Sequence, residues 1–169
     1  MLKVDLGLLH RTPRLEVAAR IAPDDALWEG VAVTFTKPLD VRLVAQEAGA
    51  DVVVRGRVRG TVELPCRRCL ATVRRDIEEP VTLVFRAGVA PVEAEASEVY
   101  PLPARGGELD LAEPLREHVL LAVPQFATCS ETCRGLCPRC GSNLSVGACA
   151  CGEREPDARW AALRRLELD

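Results

Sequence analysis

The chain has 169 residues, enough for one ordinary domain or a domain with a small appendage. An apolar share of 48% supports a real core, but only six aromatics are available, so Val, Leu and Ala must build it. No run approaches the roughly 18 apolar residues of a membrane helix, and "MLKVDLGLLHRTPRLEV" is broken by charges where a secretory signal would be apolar, so a cytoplasmic protein is expected.

The N-terminal "LEVAARIAPDDALWEG" reads as a strand followed by a turn. From about 30 to 86 the chain alternates like strands: "GVAVTF" ends at Lys37-Pro38, "LDVRLVAQ" runs to Gly49, and "DVVVRGRVRGTVELP" is long and β-branched. "ATVRRDIEEPVTLVFR" adds two runs separated at Pro80, and Gly56 and Gly60 suggest a bulge or bend. The expected arrangement is an antiparallel meander. Residues 87–107 read as a connection with a short strand at Val99-Tyr100. In "LDLAEPLREHVLLAVP" a helix places Leu111, Leu115, Val119 and Ala122 on one face and stops at Pro124. Asp110 with Glu113 resembles a capping box, whereas Pro114 fits a start one turn later. The tail "EPDARWAALRRLELD" is a second helix candidate. The fold class is therefore α+β: a mainly antiparallel sheet, two helices and a cysteine-rich, zinc-binding C-terminal segment. By region, 1–128 forms the β domain with a helix near 111–123, 129–155 a zinc-knuckle segment packed on it, and 156–169 a terminal helix.

Eight cysteines in a chain without an export signal point to metal ligands before structural disulfides. A C-x-x-C turn lets two thiolates reach one tetrahedral zinc. Cys137 and Cys140 have this spacing, followed by a glycine that permits a positive φ, and Cys149 and Cys151 follow eight residues on. These four make one closed site. Cys66, Cys69, Cys129 and Cys133 remain as two pairs for a second, closing a loop of 59 intervening residues. A competing assignment groups Cys129 and Cys133 with Cys137 and Cys140, and the sequence leaves it open. Either way four thiolates leave no place for water, so one or two structural Zn2+ ions are expected rather than catalysis. A thioredoxin-like role for Cys66 and Cys69 would need a helix after the pair, but "LATVRRDIE" alternates like a strand.

Between 55 and 75 stand Arg55, Arg57, Arg59, Arg67, Arg68, Arg74 and Arg75 against Glu63 alone, a local charge of +6. Arg55, Arg57 and Arg59 alternate, so an unbroken strand presents them on one face, where guanidinium forks suit phosphate. The plain alternative is that they pair with the acidic stretch 76–117, of local charge −7, or are merely solvated. His10, His118, Trp28 and Trp160 read as structural or surface residues, and no phosphate loop or Ser/His/Asp arrangement appears.

The order strand, "PCRRCL", strands, acidic linker, "ELDLAEPLREHVLLAVPQ", "CSETCRGLCPRCGSNLSVGACAC" resembles the YceD family, the large ribosomal RNA subunit accumulation proteins. The likeness covers roughly residues 15–155 and is most specific in "CRRCL", "LREHVLLAVP" and "CRGLCPRCGSNL". The family commonly has a second Asn soon after "NL", where this chain has Ser145, and Lys where it has Arg134, departures that replace no cysteine. The resemblance implies a non-enzymatic factor in large-subunit biogenesis, with large-subunit rRNA, a pre-ribosomal particle or a ribosomal protein as partner and neither a membrane nor a small-molecule substrate. An alternative is a protein adaptor that never touches RNA; a thiol oxidoreductase is a third, lesser reading.

Overall fold

Period-two alternation in the middle of the chain becomes a six-stranded sheet. The computed structural model describes residues 2–89, 99–103, 107–151 and 159. Its strands are β1 (Lys3–Asp5), β2 (Leu15–Ile21), β3 (Thr34–Phe35), β4 (Leu39–Ala48), β5 (Asp51–Pro65), β6 (Thr72–Arg86), β7 (Val99–Pro101) and β8 (Glu108–Asp110). The helices are α1 (Leu6–Leu9) and α2 (Ala112–Ala122). Sheet order is β2-β4-β5-β6-β7, with β3 beside β5 beyond the end of β4, while β1 and β8 form a separate pair. The meander holds for β4-β5-β6, but β7 joins β6 in parallel, so the sheet is mixed.

Alternating residues of the sheet's inner face are sealed: Leu39, Val41, Val54, Val58, Val62 and Val81 are all at most 1% exposed. Burying each such side chain contributes roughly 1.5–3 kcal/mol, before the entropy of ordering the chain is subtracted. Leu115 and Val119 of α2 and Leu9 of α1 join the same core. Asp110 accepts from the Ala112 N–H at the start of α2, and Pro114 sits in its first turn, where no N–H is needed. Trp28 lies against Phe35 with ring centroids 4.2 Å apart and donates to the Ala22 carbonyl.

Three expectations need correction. "GVAVTF" yields only the two-residue β3, with Val31 and Val33 packing loosely on the core. Gly56 and Gly60 make no bulge, since β5 keeps one unbroken register from Asp51↔Arg86 to Pro65↔Thr72. They are small because β4 lies too close: a Cβ on Gly56 would stand 2.0 Å from the Arg42 carbonyl oxygen. Pro80 does not divide β6, because β7 pairs only from Val84 onward and leaves that edge open where a proline is tolerated. The helix expected at 156–169 falls outside the described residues apart from position 159.

Candidate metal centres and an arginine face

β5 and β6 form one long hairpin, and "CRRCLA", residues 66–71, is its tip. The Cys66 N–H donates to the Ala71 carbonyl and the Leu70 N–H to the Cys66 carbonyl, at 2.8 and 2.9 Å. That turn requires Leu70 at φ 61, an unusual left-handed conformation for a branched side chain. The same two bonds recur further on: Cys137 N–H to Ser142 carbonyl and Gly141 N–H to Cys137 carbonyl, at 2.8 and 2.9 Å, with Gly141 at φ 72. Both C-x-x-C segments are therefore the same knuckle, one with leucine where the other has glycine.

The segment after α2 folds back onto the hairpin tip. Arg67 N–H donates to the Ala127 carbonyl, the Arg68 guanidinium to the carbonyls of Glu131 and Cys133, and Arg75 to the Thr128 carbonyl. Gly135, at φ 77, lies so near the Arg68 carbonyl that a Cβ would approach it to 2.9 Å. Cys66, Cys69, Cys129 and Cys133 thereby come together, all four sulfurs within 4.8 Å of one another, as do those of Cys137, Cys140, Cys149 and Cys151. All eight thiols are free. Cys66 and Cys133 lie 3.9 Å apart and Cys69 and Cys129 3.6 Å. A tetrahedron of thiolates at the usual zinc–sulfur bond has edges of about 3.8 Å, so the spacing fits such an ion.

The electrostatics divide each group internally. Burial pushes the Cys66 thiol up, but N–H donors from Cys129, Cys69 and Arg68 outweigh it and bring the thiol to about 6. The Ser142 hydroxyl and N–H hold Cys140 at about 6. The Ser145 hydroxyl and Gly135 N–H lower Cys133, and the N–H groups of Cys140 and Arg139 lower Cys137. By contrast, neighbouring Cys133 and Cys69 push Cys129 up to about 12, and Cys140 does the same to Cys151. Four negative sulfurs cannot share so small a space unaided; a central dication, which either tetrad could hold, would remove the conflict and the last protons with it.

The seven arginines are not one patch. Arg55, Arg57 and Arg59 do project from the solvent face of the sheet, where Arg57 and Arg59 both bond Glu78 at 2.9 and 2.8 Å. Arg74 shares this outward face but bonds Glu63 at 2.7 Å. Arg67 lies over the Phe126 ring, 3.9 Å from its centroid, and Arg68 and Arg75 are committed to backbone carbonyls around the knuckle. Sequence reasoning missed Arg42, which faces Arg57 across β4–β5. The alternation in "LDVRLVAQ" carried that signal. The sulfur-contacting Ser142 and Ser145 were also missed, since nothing about a serine in a loop marks it as a thiolate donor.

The sequence model described as "Large ribosomal RNA subunit accumulation protein YceD" matches residues 54–167. An uncharacterised protein of Mycobacterium tuberculosis is 30% identical, over 95% of this chain and 78% of its own length. The chloroplastic large ribosomal RNA subunit accumulation protein YCED homolog 1 of Arabidopsis thaliana is 28% identical, over 66% of this chain and 43% of the plant protein. Its Zea mays counterpart is 36% identical over 31% of this chain and 18% of its own. No solved structure matches. With both C-x-x-C knuckles and α2 inside a match that spans more than half of its length, the chain belongs to the YceD family.

Proposed function

We propose that this protein is a non-enzymatic, zinc-stabilised factor of large ribosomal subunit biogenesis that supports accumulation of large-subunit rRNA by binding that RNA or a pre-ribosomal particle in the cytoplasm. Zinc at both cysteine tetrads would be structural, since four thiolates leave no open position for water or substrate. The observation that carries the RNA reading is the run of Arg55, Arg57 and Arg59 along one exposed strand face in a family described by rRNA accumulation. Fractionation of growing cells on a sucrose gradient should place the protein with large-subunit precursors; its absence from them would reject the role. Native mass spectrometry of protein prepared without oxidant should show two zinc ions, and a metal-free protein with disulfides would reject the cofactor.

A second reading is a protein adaptor. Phe126 and Leu121, 67% and 74% exposed, stand near an apolar groove of about 380 Å³ lined by Val31, Val33, Leu64, Leu120 and Val123 among others. Partner capture that survives nuclease treatment would favour this reading over RNA contact.

A further inference from the structure

The solvent face of the sheet carries a hollow of about 590 Å³ lined by Asp40, Arg42, Gly56, Arg57 and Arg59. Arg42 stands directly opposite Arg57 in the β4–β5 register. Like charges in that relation weaken an antiparallel pair, unless an anion lies between them. Arg55 and Arg59 are the next outward positions of β5, roughly 6.7 Å to either side by strand rise. The local acids do not balance the group. Asp40 is held by Arg20 at 3.0 Å, and the single Glu78 carboxylate serves both Arg57 and Arg59. Among the described residues no hydrogen bond or ion pair ties the guanidinium of Arg42 or of Arg55, and both side chains are exposed.

We infer that this hollow, with Arg55 beside it on β5, is a phosphate-binding site for the backbone of a single RNA strand laid along β5, Arg42 being the fourth guanidinium and Glu78 a built-in competitor for Arg57 and Arg59. This rests on the RNA reading above and narrows it to a place and a chemistry. Guanidinium forks match phosphate oxygens in pairs, and their regular spacing along β5 is close to that of successive phosphates on one strand. Among the described residues no aromatic belongs to this face: Trp28, Phe35 and Phe85 are buried, Tyr100 lies against Phe85, and Phe126 lies under Arg67. Among the described residues this face therefore offers bases nothing to stack on, and binding should be indifferent to sequence and sensitive to salt. The lack of an apolar or aromatic anchor also disfavours a protein partner here.

The test measures binding of a short mixed-sequence RNA oligonucleotide to the metal-loaded, full-length protein across a salt series. Four phosphate contacts should give a log–log slope of about −3, at roughly −0.7 for each on a single strand. Arg42→Ala should weaken binding and flatten the slope by about 0.7, Arg42→Lys should restore most of the slope, and Glu78→Gln should tighten binding several-fold. These side chains are exposed, and unchanged zinc content and circular dichroism would show the variants folded. If Arg42→Ala changes nothing while the combined Arg55, Arg57 and Arg59 alanine variant loses RNA, the hollow is rejected and the RNA role stands. If the wild type binds no RNA, both fall. If polyglutamate binds as tightly as RNA, the phosphate assignment is wrong.

Discussion

The two cysteine tetrads use the same knuckle for different work. Cys66, Cys69 and Cys133 are buried, with Val73 and Leu136 packed around them, and they join the hairpin tip to a segment far along the chain. Cys140 is exposed and Cys149 and Cys151 half-exposed, and this group ties together one short loop. The interior tetrad fastens the sheet; the outer one shapes an appendage. Loop length explains only part of the contrast. In the chain-entropy estimate a crosslink around about 60 residues restrains the unfolded chain by about 4 kcal/mol, against about 3 kcal/mol around about 10 residues. The remainder must come from burial and from the carbonyl contacts of Arg68 and Arg75.

The strongest way to break the contrast is to remove one ligand from each group. Cys66→Ser should lower Tm by about 10 °C or more in calorimetry of the zinc-loaded protein, and Cys151→Ser by about half of that, taking roughly 2–4 °C per kcal/mol for a chain this size. Equal losses would show that the tetrads do the same job. In the same spirit, gradual chelation followed by native mass spectrometry should pass through a one-ion species that retains the interior ion.

The glycines offer a finer probe. Gly135 and Gly141 both have positive φ, but only Gly135 faces a backbone atom within 4 Å. Gly141→Ala should cost about 1–2 kcal/mol, the left-handed penalty alone. Gly135→Ala should cost more, since the Arg68 carbonyl must also move. Denaturant midpoints that rank the two in the opposite order would mean the segment slides freely over the hairpin.

The smallest effect should be a gain. Leu70 occupies the place of Gly141 in the other knuckle and is 66% exposed, so Leu70→Gly gives up little packing. It should stabilise by up to about 1 kcal/mol through relief of the left-handed conformation, partly offset by backbone entropy. A loss of stability would show that the leucine has a contact worth keeping.

Much of this was legible because it depended on period. The alternation of β4 to β6 and the single face of α2 follow from residue spacing alone, and the C-x-x-C pairs announced themselves. The division of eight cysteines into these two groups was favoured by spacing and ligand count, which did not settle it against regrouping Cys129 and Cys133 with Cys137 and Cys140. It depends on the length of the β5–β6 hairpin, which carries Cys66 and Cys69 out to where the chain returns after α2. β1, α1 and β8 are too short to show a period and owe their form to tertiary contacts such as the Leu111 N–H to Leu2 carbonyl bond. The +6 run misled because charge density along a chain ignores which way side chains point. Arg74 and Arg75 are neighbours in sequence, yet one meets Glu63 and the other the Thr128 carbonyl.

Cys133 and Cys137 belong to different tetrads with only Arg134, Gly135 and Leu136 between them. This adjacency has a consequence for synthesis. The hairpin emerges from the ribosome with two of its four sulfurs and must wait some sixty residues for the others. In the proposed holoprotein the interior zinc site becomes fillable when Cys133 arrives, and the outer one only once Cys149 and Cys151 have followed. Capture of an ion at the interior site would then act as a checkpoint: a chain cut short before residue 133 lacks one of the four sulfurs that gather at its hairpin tip, and proteases would meet it open.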